Sequence, residues 1–208
     1  MGISRELLED FRLVGRYTCE MGLNSSHSGN LSVRRDDRMI ITCTLAMLGN
    51  LNEDDLVEVP LKGEVDPAFQ ASKEVITHRA IYDRTDARAI VHTHPINATT
   101  LSLLFGAIVP IDIDGAYHFP RVDVVAPDHT KSPEAVAEVV AAALEGASIV
   151  LSRGHGAFAA EESLQRALQF SCVLESSARI IYRLMTLGKD PSVFEKDYFG
   201  KWKGVRRS

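Results

Sequence analysis

Val91-His92-Thr93-His94-Pro95 closes an apolar run that begins at Ala89-Ile90. A run of this kind reads as a buried strand, and on a strand residues i and i+2 point to the same face. His92 and His94 can therefore direct both imidazoles at one metal ion. Gly154-His155-Gly156 follows a second strand-like run, Ser148-Ile149-Val150-Leu151, and its glycines suit a place where backbone passes close to a ligand. Three histidines with an open position form the donor set of a catalytic zinc site, not of a structural one. His27, His78, His118 and His129 lack such settings. The sequence places His78 in a helical segment and the other three in loops, all as non-ligands.

Outward from this strand, the apolar spacing is helical on both sides. Leu7, Leu8, Phe11, Val14 and Thr18 predict a first helix with Ser4 as its cap and Gly22 as its stop. A polar loop over 24–30 leads to a hairpin, 31–34 and 39–42, turning at Asp36-Asp37. Residues 56–61 predict a strand, 72–84 a helix and 97–105 another. Pro110 opens a strand-and-loop stretch to Val125, and Pro133 suits the first turn of a helix over 134–145. Strand 148–152 and a short strand at 157–160 precede a long helix over 162–187, which Gly188 and Pro191 end. Strands and helices interleave without a strict β-α-β rhythm. The expected fold class is therefore α/β, a single-domain three-layer α/β/α arrangement with a mixed, largely antiparallel central sheet. One domain is expected over 1–208, with a basic, aromatic C-terminal tail over 191–208 that contains Tyr198, Phe199 and Trp202.

The chain has 208 residues, 45% hydrophobic and 25% charged, with a net charge of −5. That balance argues against nucleic acid or an anionic membrane as partner and leaves room for a small anionic substrate in a local basic pocket. No apolar stretch approaches the roughly 18 residues of a membrane span, and no apolar signal segment opens the chain. Cys19, Cys43 and Cys172 are scattered, without Cys-x-x-Cys spacing. They predict reduced thiols and a cytoplasmic location. Two other folds with His-x-His metal sites fail on the text. A cupin would carry a glutamate soon after the pair, where Asn97 and Ala98 stand. A metallo-β-lactamase-type site would carry aspartate and histidine directly after Pro95, where Ile96 and Asn97 stand.

Ser28-Gly29-Asn30-Leu31-Ser32, Ile41-Thr42-Cys43-Thr44, Ser72-Lys73-Glu74, His92-Thr93-His94-Pro95 and Gly154-His155-Gly156 occur in this order. Over roughly 5–190 the chain resembles the class II aldolase/adducin family. The resemblance implies one α/β/α domain, a homotetramer, and a zinc ion (Zn2+, with Mn2+ or Co2+ as substitutes) held by His92, His94 and His155. It also implies that Glu74 is the acid/base and can touch the metal. Read alone, Glu74 is a first-turn glutamate favoured by the helix dipole.

In the family's aldolases a glycine-asparagine loop, a Thr-Gly pair and a Ser-Ser pair cradle the substrate phosphate. Gly29, Asn30, Thr44 and Ser72 match, whereas Leu45 and Lys73 replace the glycine and the second serine. Leu45 is expected to restrict backbone approach and Lys73 adds a positive charge, so the anion is held differently here or is a carboxylate. Family tyrosines handle the proton at the aldehyde oxygen. Tyr198 is the candidate from a neighbour's tail, and Asp114 stands near the point of the other.

The implied reaction is retro-aldol cleavage of a small ketose phosphate to dihydroxyacetone phosphate and an aldehyde. Alternatives on the same scaffold are a decarboxylase of a hydroxylated aromatic acid, a sugar-phosphate epimerase and a dehydratase. The family's non-enzymatic cytoskeletal members have no need of Glu74 and the three histidines, all of which are present.

Overall fold

In the strand that carries His92, Ala89 and Val91 enter one apolar cluster while Ile90 enters another, so both faces are covered. The computed structural model describes residues 3–63, 65–66, 68 and 70–197. Its strands are β1 (Asn30–Arg35), β2 (Arg38–Thr42), β3 (Leu56–Pro60), β4 (Ala89–Thr93), β5 (Ala107–Ile108), β6 (Val122–Val125), β7 (Ile149–Ser152) and β8 (Gly156–Glu161). They form one sheet in the order β3-β2-β1-β4-β8-β7-β6-β5. Every neighbouring pair is antiparallel except β6 with β7. This is the mixed, largely antiparallel sheet that the sequence pattern predicts.

Helices cover the sheet on both sides. On one face lie α1 (Arg5–Glu20), α3 (Ile96–Ser102), α4 (Ile113–His118) and the long α6 (Leu164–Thr186), around Phe11, Leu31, Val91, Leu151 and Leu174. On the other, α2 (Val75–Arg84) and α5 (Pro133–Ala143) pack together over Met39, Ile90, Val150 and Phe158. Side-chain parity puts His92 on this second face, because it follows Ile90 by two residues. A short α7 (Ser192–Asp197) follows α6. Among the described residues no helix is long and apolar enough to cross a membrane.

Helix ends follow the local chemistry. Ser4, Ser132 and Ser163 each accept a backbone N–H at the start of α1, α5 and α6. Pro133 stands at the first helical position of α5. The 110–125 stretch, which from sequence reads as strand and loop, contains α4. At six residues α4 is too short to show a period, and Asp112 caps it by accepting the Gly115 N–H at 2.8 Å. His118 therefore ends a helix and does not sit in a loop. The helix expected over 72–84 begins at Val75, and the one expected to reach 105 stops at Ser102, which frees Ala107 and Ile108 to form β5. The short strand expected at 157–160 is the six-residue β8, paired on both sides. The tail residues Tyr198, Phe199 and Trp202 lie outside the described residues.

Candidate metal centre

Three elements bring the histidines together. His92 stands near the end of β4, His94 directly after it, and His155 in the turn between β7 and β8. Their ligand-capable nitrogens all lie within 4.8 Å of one another. His92 is 1% exposed and stacks on Phe158, with ring centroids 4.0 Å apart and planes 12° apart. Its Nδ1 donates to the Ala157 carbonyl at 3.0 Å, which fixes the tautomer and leaves Nε2 as a lone-pair donor. The Nε2 atoms of His92 and His94 are 3.0 Å apart, close to the roughly 3.3 Å between two nitrogens on one tetrahedral zinc. The donor set thus fits a divalent ion.

Electrostatics agree with that fit. Burial, together with the neighbouring His155 and His94, holds the His92 imidazole well below its ordinary pKa. Burial and His155 push His94 down to about 4. His155 is lowered by burial, against the opposing pull of Glu74. At neutral pH the imidazoles are therefore uncharged, which is the form that binds metal.

Gly156 explains why the motif carries a glycine. A Cβ there would drive into the Thr93 carbonyl and crowd the rings of His94 and His92. Gly156→Ala is expected to cost at least the ~1–3 kcal/mol of an overpacked core and to lower metal affinity, because two of the blocking atoms belong to the rings of His94 and His92. Urea unfolding and a metal titration of the variant check both.

Glu74 caps α2 and reaches the same place. Its Oε1 lies 3.9 Å from His155 Nε2, and its Oε2 accepts the Thr77 hydroxyl at 2.6 Å. Ser72 Oγ accepts the Glu74 N–H at 3.3 Å. Asn30 pairs with His92 in the β1–β4 ladder, which puts its side chain on the metal face beside the ligand. The Asn30 Oδ1 is buried without a partner among the described residues. Gly29 (φ 75°) packs so tightly on Asn24 and the His92 carbonyl that a Cβ has no room. Thr44 is tied to the segment before α2 through the Ala71 carbonyl at 2.9 Å. Leu45 keeps the left-handed backbone that glycine favours (φ 63°) with its side chain 73% exposed. The exchange of glycine for leucine thus preserves the turn, and Lys73 is exposed just before the cap of α2. Asp114 is placed elsewhere: it lies on α4, 3.7 Å from His118, and α4 packs against α6. Tyr198 lies outside the described residues.

Sequence reasoning missed several residues around the centre. Asn24 Oδ1 accepts the His94 N–H at 2.9 Å. Glu175, buried in α6, accepts from Asn97 N, Asn97 Nδ2 and Ala98 N at 3.2, 2.6 and 3.0 Å, anchoring α3 just beyond His94-Pro95. An acidic residue on the apolar stripe of α6 was its signal in the text. His129 and Lys131, from the loop before α5, line a cavity with Glu74 and His155. Nothing in their local pattern announces that meeting.

Behind the centre, His78 is fully buried and hydrogen-bonds through Nδ1 to Ser32 Oγ at 2.6 Å. Burial pushes its pKa from the usual 6.5 down to about 3. As pH falls below the unfolded value, the unfolded chain takes up this proton first. The stability contributed by a neutral His78 is thus complete above about pH 6.5 and is lost progressively towards pH 3, at about 1.4 kcal/mol per pH unit. Urea unfolding of the metal-free protein between pH 7.5 and 4.5 is expected to show stability falling with pH. A His78→Phe variant is expected to have the shallower slope.

Comparison with known proteins points to one family. The model of the Class II Aldolase and Adducin N-terminal domain matches residues 9–182. The chain is 33% identical over 161 residues to L-fuculose phosphate aldolase of Escherichia coli K12, covering 77% of this chain and 75% of that one. It is 30% identical over 178 residues to 3-oxo-tetronate 4-phosphate decarboxylase of Haemophilus influenzae, covering 82% and 84%. The crystal structure of L-fuculose-1-phosphate aldolase from Thermus thermophilus superposes with a TM-score of 0.84 at 38% identity, covering 90% of this chain and 99% of that one.

Proposed function

The chain belongs to the Class II Aldolase and Adducin N-terminal domain family, and on that premise we propose that it is a zinc-dependent aldolase cleaving a small ketose phosphate to dihydroxyacetone phosphate and an aldehyde. The observation that carries this reading is the three-histidine cluster with a carboxylate, Glu74, 3.9 Å from one of its members.

His92, His94 and His155 would hold the ion, which when bound supplies a Lewis acid for the negative charge developing on substrate oxygens. Zinc is the ion of first choice, and manganese or cobalt can serve in an imidazole site. The chain's own residues do the rest. Gly29, Asn30, Thr44 and Ser72 bind the phosphate, with Lys73 adding a positive charge beside them. The C3–C4 bond breaks, its electron pair stays with C3, and the C4 hydroxyl proton leaves as the aldehyde forms. Glu74 then delivers a proton to C3. The Thr77 hydroxyl occupies its Oε2, so Oε1, which faces His155, is the oxygen placed to carry that proton. Tyr198, from a neighbouring copy's tail, and Asp114 are the candidates for the proton that leaves the C4 hydroxyl.

A homotetramer in the cytoplasm is the setting this reading implies. Its support is the exposed apolar set Ile96, Leu103, Leu104, Ile113 and Tyr117 on and after α3 and α4, and the scattered cysteines Cys19, Cys43 and Cys172 without Cys-x-x-Cys spacing. Decarboxylation of a 3-oxo acid phosphate is the second reading, favoured by Lys73 at the mouth of the site and by the decarboxylase relative. A coupled assay for dihydroxyacetone phosphate, run on zinc-loaded protein with ketose phosphates, tests the first reading. Product that requires zinc supports it. Carbon dioxide from a 3-oxo acid phosphate, with no cleavage of any ketose phosphate, replaces it with the second.

A further inference from the structure

Beside the histidine cluster, between the N-terminal ends of α2 and α5, lies a cavity of about 270 Å³. Lys73, His129 and Lys131 line it together with Glu74, Ser152 and His155. Glu74 is the one acidic residue among the described residues that line it, and the phosphate-loop candidates Gly29, Asn30 and Thr44 are not part of it. Two lysines against one carboxylate give the chamber a net positive charge, to which both helix N-termini add favourable dipoles. Ser152 also lines the chamber, 1% exposed, and its hydroxyl is buried with no hydrogen-bond partner among the described residues. A buried, unsatisfied hydroxyl costs free energy unless a ligand or water completes it. The His129 ring stands 6.5 Å from that of His155, so the chamber adjoins the candidate metal centre directly.

We propose that this chamber is a carboxylate subsite with Lys131 as its anchor, and that the aldehyde released by the enzyme is a short acid carrying a carboxylate at its far end. The proposal rests on the aldolase reading for the word aldehyde but not for the subsite. The cavity, about 270 Å³, exceeds the ~150 Å³ that accommodates a benzene-sized molecule, so a short acid fits in it whole. Lys131 opens the turn into α5 just before its cap Ser132, and Lys73 precedes Glu74 at the cap of α2. A three- or four-carbon acid spanning from the metal centre towards α5 meets a lysine at its charged end.

Two measurements test this. In the first, zinc-loaded protein is titrated calorimetrically with glycerate, and separately with inorganic phosphate, in the wild type and in Lys131→Ala. Glycerate affinity is expected to fall about 10- to 100-fold in the variant, the worth of a hydrogen bond between charged groups, with zinc content unchanged. In the second, two ketose 1-phosphates of equal length are compared, one ending in a carboxylate and one in a hydroxymethyl group. The ratio of their kcat/KM values is expected to favour the carboxylate by a similar factor and to fall towards one in Lys131→Ala. Glycerate binding that ignores Lys131, or phosphate that binds through Lys131 in its place, overturns the carboxylate assignment. Equal use of both substrates by the wild type overturns it too. Lys131-dependent glycerate binding with no cleavage of either substrate keeps the subsite and removes the aldolase reading instead.

Discussion

Glu74→Gln is expected to lower the turnover of ketose phosphate by about 100- to 10,000-fold, the range for loss of a positioned general acid or base. Glutamine keeps the size of the side chain, and its carbonyl oxygen can still accept the Thr77 hydroxyl that Oε2 accepts at 2.6 Å. What it loses is the ability to hold and release a proton at the oxygen facing His155. The residue makes no side-chain capping bond to α2, so the exchange leaves the helix start without a missing partner. Zinc content and the unfolding midpoint are therefore expected to match the wild type while kcat collapses. Turnover within a few-fold of wild type would remove Glu74 from the chemistry.

His155→Ala is expected to weaken zinc binding by more than the about 10- to 100-fold that loss of an outer-shell partner costs, and to abolish measurable turnover. His155 is the ligand best suited to this test. Its side chain is 31% exposed and its one ion-pair contact among the described residues is Glu74 at 3.9 Å, so its removal leaves little strain. His92 is buried, stacked on Phe158 and bonded to the Ala157 carbonyl. Its removal would mix a packing defect with the loss of a donor. Competition against a chromophoric chelator measures zinc affinity, and urea unfolding of the metal-free forms shows whether the folds are equivalent. Wild-type zinc affinity in His155→Ala would mean that the ion sits elsewhere.

The parts of this molecule that a one-dimensional pattern can encode were legible in the sequence. The i, i+2 spacing of His92 and His94 across the end of β4 pointed to their meeting, the glycines around His155 signalled close approach, and the 3.6-residue period disclosed α1 and α6. Short elements were not legible, because six residues of α4 or two of β5 hold too little period to read. Contacts between distant segments were equally silent. His129 and Lys131 look like ordinary loop residues until α5 packs on α2 and sets them beside His155. Leu45 looks from sequence like an obstacle to backbone approach, whereas the backbone keeps its left-handed turn and turns the side chain outward.

The central claim is that one ion in the three-histidine site supports dihydroxyacetone phosphate formation. Its most direct test is to titrate metal-free protein with zinc while following both bound metal and product from a ketose phosphate. With a single three-histidine group among the described residues, activity is expected to rise from background in step with bound zinc and to saturate at one equivalent per chain. Full turnover before any zinc is added, or a saturated site that yields no dihydroxyacetone phosphate from any ketose phosphate, would contradict the account.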